Sequence, residues 1–162
     1  MQEVKSFLME WFVMYLENRG MFKKDLIKVE KFDQNSEFLA HYRDRIMHFL
    51  IKMDLESDVL GRLGADENFG LVTLNNPVNI RFVVNNWNKL SGFGRLSIYF
   101  INPFSNSEKV WVIKPNVHDK ICDKNCLELG LKAISEMVDT TNASIMEKKV
   151  ILKIQESGLQ SR

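Results

Sequence analysis

The stretch Leu26–Met53, LIKVEKFDQNSEFLAHYRDRIMHFLIKM, decides the fold. Apolar residues alternate with charged ones through Lys28, Val29, Glu30, Lys31 and Phe32, and apolar residues recur at every second position in Phe38, Ala40 and Tyr42. That is the two-residue period of a strand with one face buried. The alternation breaks at Asp33-Gln34-Asn35-Ser36 and at Arg43-Asp44-Arg45, where short polar side chains bond their own backbone in tight turns. Three strands are therefore predicted, over Leu26–Phe32, Glu37–Arg43 and Arg45–Met53, joined as an antiparallel meander.

Outward from the meander the period changes. Upstream, Val4, Phe7, Leu8, Trp11, Phe12, Tyr15 and Leu16 recur at steps of three and four, predicting an amphipathic helix from Val4 to Asn18 with Gly20 as its stop. Met9, Val13 and Met14 widen its apolar face, so the core or a partner should cover it on more than one side. Downstream, residues 54–68 are polar and carry Gly61 and Gly64, which reads as a short helix or loop leading into a strand over Phe69–Leu74. Asn76 then caps a helix with Pro77 at its first position and Ile80, Val83, Val84, Trp87 and Leu90 at helical spacing before Gly92. Arg95–Asn102 and Lys109–Lys114 read as a hairpin, with Pro115 closing its second strand. Leu127, Leu131, Ile134 and Val138 make a further helix despite Gly130. Ser144–Gln155 fits both templates, as a helix through Met146, Val150 and Ile154 or as a strand through Val150, Leu152 and Ile154. The sum is an α+β fold: a mixed or mostly antiparallel sheet of five to six strands with an N-terminal helix, a middle helix and one or two C-terminal helices.

Composition sets the outer bounds. A chain of 162 residues with 45% hydrophobic and 27% charged residues suits one domain, 1–162, around one aromatic-rich core. Twenty-two Lys and Arg against 21 Asp and Glu leave a net charge of +1, too little for a global field that draws in nucleic acid or anionic lipid. The most apolar window, Phe7 to Leu16, contains Glu10 and is far short of the ~20 residues that cross a bilayer, so no membrane partner is expected. Cys122 and Cys126 in a chain without a secretory leader pattern favour a reducing cytoplasm.

Among residue types, His118, Cys122 and Cys126, four residues apart with Asp119 and Asp123 between them, form the candidate metal site. On one helix all three would share a face, and sulfur and imidazole are ligands that suit zinc. Adjacent members would lie about 6 Å apart and the outer two about 12 Å, so at most two serve one ion, with His41 or His48 as a distant third. Otherwise no cofactor is expected. No Gly-x-Ser-x-Gly elbow is present, and Gly61-Arg62-Leu63-Gly64 and Gly92-Phe93-Gly94 lack the spacing of phosphate loops.

The order helix, three strands, helix, strand resembles the core of restriction-endonuclease-like nucleases over roughly the first hundred residues. The resemblance implies an acid and an E-x-K on central strands holding a divalent ion. Here Glu147-Lys148-Lys149 has the E-x-K form, with Asp139 upstream, but lies near the C-terminus outside the matching region. Arg95, Tyr99, Phe100, Lys109, Trp111 and Lys114 interleave charge and aromatic rings as a base-stacking sheet does, although strand parity sends most of the rings to the core. Asn79, Asn85, Asn86 and Asn88 are expected opposite the apolar stripe of the middle helix, as a neutral face that meets protein with little desolvation cost. With no complete catalytic constellation, the expected function is a non-catalytic interaction module or homo-oligomer. The alternative is a nuclease-like or nucleic-acid-binding domain.

Overall fold

The meander forms where its alternation places it. In the computed structural model, which describes residues 2–31 and 36–160, β1 (Leu26–Lys31), β2 (Glu37–Tyr42) and β3 (Ile46–Ile51) pair antiparallel in sequence. Phe32 and residues 33–35 of the expected first turn lie outside the described residues. Phe38 and Ala40 are fully buried while Leu39 and His41 on the other face stay partly open. The register of β1 slips between Leu26 and Lys28, so Ile27 bulges outward and is exposed.

Beyond the meander the pairing changes sign. β4 (Asn68–Leu74) runs parallel to β3, β5 (Leu96–Ile101) runs parallel to β4, and β6 (Val110–Ile113) returns antiparallel, giving one mixed sheet in the order β1-β2-β3-β4-β5-β6. Parallel strands need cover on both faces. Every residue of β4 after Asn68 is buried. The fold is α+β, with a six-stranded mixed sheet between two helical layers.

One layer holds α1 (Gln2–Lys23) and α6 (Ala143–Gln160), which bury Val4, Leu8, Phe12 and Met146 with Phe38, Phe49 and Val72 of the sheet. The other holds α2 (Pro77–Asn85), α3 (Trp87–Leu90), α4 (Pro115–Ile121) and α5 (Leu127–Ser135). There Ile80, Trp87 and Leu131 pack on Leu71, Ile98 and Phe100. The ambiguous segment after Ser144 is thus helical, capped by the Asn142 side chain, which accepts from the Ile145 N–H at 2.9 Å.

Two expected helix boundaries are corrected. Gly20 does not stop α1: the helix runs on to Lys23, and Gly20 is buried where a Cβ would collide with the Leu26 side chain. The stop is Lys24, a non-glycine residue at φ 54° whose N–H reaches the Gly20 carbonyl at 2.6 Å. The middle helix is broken at Asn86, with Asn86 Nδ2 donating to the Phe82 carbonyl at 2.8 Å. The break lets the buried Trp87 indole N–H donate to Asp119 Oδ1 at 2.8 Å, as a buried tryptophan requires.

Four asparagines tie the layers together. Asn75 Nδ2 donates to the Ser135 and Val138 carbonyls at 3.1 and 2.8 Å, while its Oδ1 accepts from Trp111 Nε1 at 2.8 Å. Asn76 donates to the Thr141 carbonyl and Asn102 to the Asp139 carbonyl. Asn79, expected on a polar outer face, is instead fully buried: its Oδ1 accepts from the Leu55 N–H, and its Nδ2 donates to the Met53 and Leu74 carbonyls. Asn85 and Asn88 are exposed and Asn86 half-buried, so the neutral face shrinks to two residues.

Replacing Asn79 with Leu removes the acceptor of the buried Leu55 N–H and one donor each from the Met53 and Leu74 carbonyls, and is expected to cost about 3 kcal/mol in urea unfolding, while Asn85→Ala changes stability by less than about 0.5 kcal/mol. Gly70→Ala drives a methyl into the buried Phe49 ring and is expected to cost about 1–3 kcal/mol in the same measurement.

Candidate functional site

The His118, Cys122 and Cys126 set does not share one helix. α4 begins at Pro115, ends at Ile121, and passes to Cys122 with extended backbone at φ −105°, ψ 152°, before a 3-10 turn over Lys124–Cys126. The physical cause of the break is the Asp123 side chain, which accepts from the Asn125 N–H at 3.0 Å and starts a new turn. His118 lies edge-on to Trp87, with ring centres 5.7 Å apart. Cys122 packs half-buried against the core and Cys126 is exposed, both as free thiols. The distant histidines are engaged elsewhere. His41 Nε2 faces Glu30 at 2.9 Å, and the His48 ring nitrogens face Glu37 at 2.9 Å and Glu67 at 3.2 Å. Among the described residues, no group of three or more His, Cys, Asp or Glu is placed to hold a metal ion.

The nuclease-like residues fall on the wrong elements. Glu147, Lys148 and Lys149 sit within α6 rather than on a central strand. Asp139 Oδ2 accepts from the Asn106 N–H at 2.8 Å, closing a loop. The stacking aromatics face inward, as strand parity implied. Phe100 and Trp111 stack at 4.2 Å inside one core, while Tyr99 points the other way against Phe12 and Phe49. Lys109 is spent on the Pro103 and Ser105 carbonyls.

In open sheets a ligand crevice forms beyond the carboxyl ends of parallel strands. Here Asn75, Asn76 and Asn102 stand at those ends of β4 and β5, and the backbone of Ser135, Val138, Asp139 and Thr141 fills the space.

What remains is a helical surface. Met146 and Val150 are buried, whereas all residues from Ile151 to Leu159 are exposed. A groove of about 570 Å³ separates the start of α1 from this arm, lined by Glu3, Phe7, Glu10, Lys153, Ile154 and Ser157. Phe7 stacks on Phe104 at 5.5 Å, and the Lys153 ammonium lies 5.3 Å from the Phe7 ring centre, so the inner side of the groove is closed by its own residues. On the outer side of α6, Ile145, Leu152 and Leu159 recur every seven residues and are 39%, 57% and 73% exposed. Sequence reasoning missed this stripe: neither the helical period through Met146, Val150 and Ile154 nor the strand period through Val150, Leu152 and Ile154 contains Ile145 or Leu159, although the seven-residue spacing is in the sequence.

Compared with protein-family models, curated proteins and solved structures, the chain matches none. No helix of the described residues is long and apolar enough to cross a membrane.

The thiols give a direct check of the α4 break. Ellman's reagent should modify Cys126 in the native protein at the rate of a free peptide thiol, and Cys122 more than ten-fold more slowly. Equal rates would place Cys122 at the surface.

Proposed function

We propose that the chain is a non-catalytic interaction module that pairs with a second copy of itself through the outer face of α6. The observation that carries this reading is the self-complementarity of that face. At about 100° per residue, the stripe Ile145, Leu152 and Leu159 lies about 140° around the helix from the buried Met146 and Val150. α6 is therefore apolar on two sides, which a helix in water does not sustain without a second cover. Ile151 and Ile154 add branched residues of modest helix propensity to an arm on which every side chain from Ile151 to Leu159 stays exposed, so further packing would add to its stability.

Two such helices laid antiparallel with Leu152 on the twofold axis place Ile145 beside the partner's Leu159. The flanks then match to within one residue of height. Lys149 falls beside the partner's Glu156 on one side, and Lys148 beside the partner's Gln155 on the other. The Lys149 ammonium lies 5.6 Å from the centre of the chain's own Phe104 ring and would have to turn from it to meet the partner's Glu156. An isologous contact needs such pairing of a surface with itself. The free thiols Cys122 and Cys126, with Cys126 exposed, support a reducing, cytoplasmic setting for this module.

One helix pair buries less than about 1,200 Å², so the dimer should form in the micromolar range. Light scattering after size exclusion, from about 1 µM to 1 mM, should show the mass rising from one chain to two. Leu152→Asp should hold it at one. Lys149→Glu and Glu156→Lys should each weaken pairing roughly ten-fold, and the two together should restore it. A wild-type chain that stays monomeric at 1 mM, or a double variant no better than the singles, overturns the reading.

A further inference from the structure

At the other end of α1 the surface has a different character. Tyr15, Arg19 and Lys23 stand one turn apart along the helix and lean over a pocket of about 280 Å³. Its remaining polar wall comes from Tyr42 and Arg45 on either side of the β2–β3 turn, Tyr99 of β5, Lys114 after β6, and Asp25 before β1. Four cations and one carboxylate thus line a single small pocket of a chain whose net charge is +1. Asp44, on Arg45 at 2.8 Å, offsets part of that charge from outside.

The donors are held in place. Arg19 Nη1 donates to the Tyr15 hydroxyl at 2.6 Å, and the Arg45 guanidinium lies 4.3 Å from the Tyr42 ring centre. The Tyr42 and Tyr99 hydroxyls make no hydrogen bond with any described residue, although Tyr99 is largely enclosed between Phe12 and Phe49. Burial pushes the Tyr99 phenol up to about 12 and raises Tyr42 as well, so both remain neutral hydroxyls near pH 7, able to donate. Clustered cations repel unless an anion joins them, and hydroxyls that face the pocket can donate to a ligand that enters it.

We propose that this pocket binds a phosphate monoester. Two fixed guanidiniums, two lysine ammoniums and two free hydroxyls offer more donors than a carboxylate's two oxygens can use, and the planar forks and hydroxyls match the oxygens of a tetrahedral dianion. The volume exceeds a bare phosphate yet falls below the usual range for drug-sized ligands, which suits a phosphate carried on a small body. That body is either a phosphorylated metabolite or a phosphorylated side chain of a protein. The pocket lies at the opposite end of α1 from the groove with α6, so the two proposals stand or fall separately.

Isothermal titration at constant ionic strength, with inorganic phosphate, phosphotyrosine, phosphoserine and glucose 6-phosphate, tests this. Saturable binding of at least one ester is expected, weakened ten-fold or more by Arg19→Gln and by Arg45→Gln, several-fold by Tyr99→Phe, and unchanged by Lys120→Gln. Tighter binding of the phosphoamino acids identifies a protein side chain, and tighter binding of the sugar phosphate a metabolite. Near-UV circular dichroism verifies that each variant is folded, and Arg19→Lys, which keeps charge without the fork, should bind between wild type and Arg19→Gln. No saturable binding up to 10 mM, or binding undiminished in a folded Arg19→Gln/Arg45→Gln protein, overturns the proposal.

Discussion

The Asn75 side chain is the constraint on which the rest of the architecture depends. It stands at the carboxyl end of β4 and uses both ends of its amide, donating to the Ser135 carbonyl at the end of α5 and the Val138 carbonyl beyond it, and accepting from the Trp111 indole of β6. Its own backbone N–H pairs with Ile101 of β5 and its carbonyl accepts from Thr141. One residue therefore joins the centre of the sheet, its far strand and the connection that launches α6. Buried amides with every group paired are specific in a way that apolar packing is not, because a shifted register leaves several groups unpaired at once. Asn76, Asn79 and Asn102 extend the same logic to α2, the segment after β3 and the β5–β6 turn.

That network also decides what the sheet is for. Parallel strands flanked by helices ordinarily leave an opening at their carboxyl ends, and most chemistry on such sheets happens there. In this chain the opening is filled by backbone that the asparagines hold, and the two proposed contact sites lie at the periphery, on the outer side of α6 and in the tyrosine-lined pocket beside the end of α1. Both places are built from long, amphipathic side chains around a rigid frame, which is how binding surfaces are usually arranged.

Local signals were readable where a single element settles its own fate. The alternation at Phe38–Tyr42 and the Asn76–Pro77 start hold because burial period and capping act within a few residues. The failures trace to contacts that a linear period does not show, some a few residues away and some far along the chain. Gly20 looks like a stop until Leu26 requires its missing side chain, and the helix continues through Asn86 until Trp87 needs Asp119, 32 residues away. The even spacing of His118, Cys122 and Cys126 suggests one face, but Asp123 begins a new turn. α6 reads as helix or strand because it is apolar on both sides. The tyrosine pocket was invisible because Tyr15, Tyr42 and Tyr99 come from three elements that only the folded sheet brings together.

The bulge at Ile27 reaches beyond local geometry. β1 is an open edge, and an edge with regular spacing invites another chain to add a strand. Here the register slip breaks the row of free backbone groups, and Lys28, Glu30 and Lys31 place charges along what remains. At the opposite edge β6 is only four residues long, and a bridge between Glu108 and Val138 shields its approach. Strand addition is hindered at both ends of the sheet. The proposed pairing through α6 would close on a twofold axis and stop at two copies, so such an assembly would have a fixed size instead of propagating as a fibre.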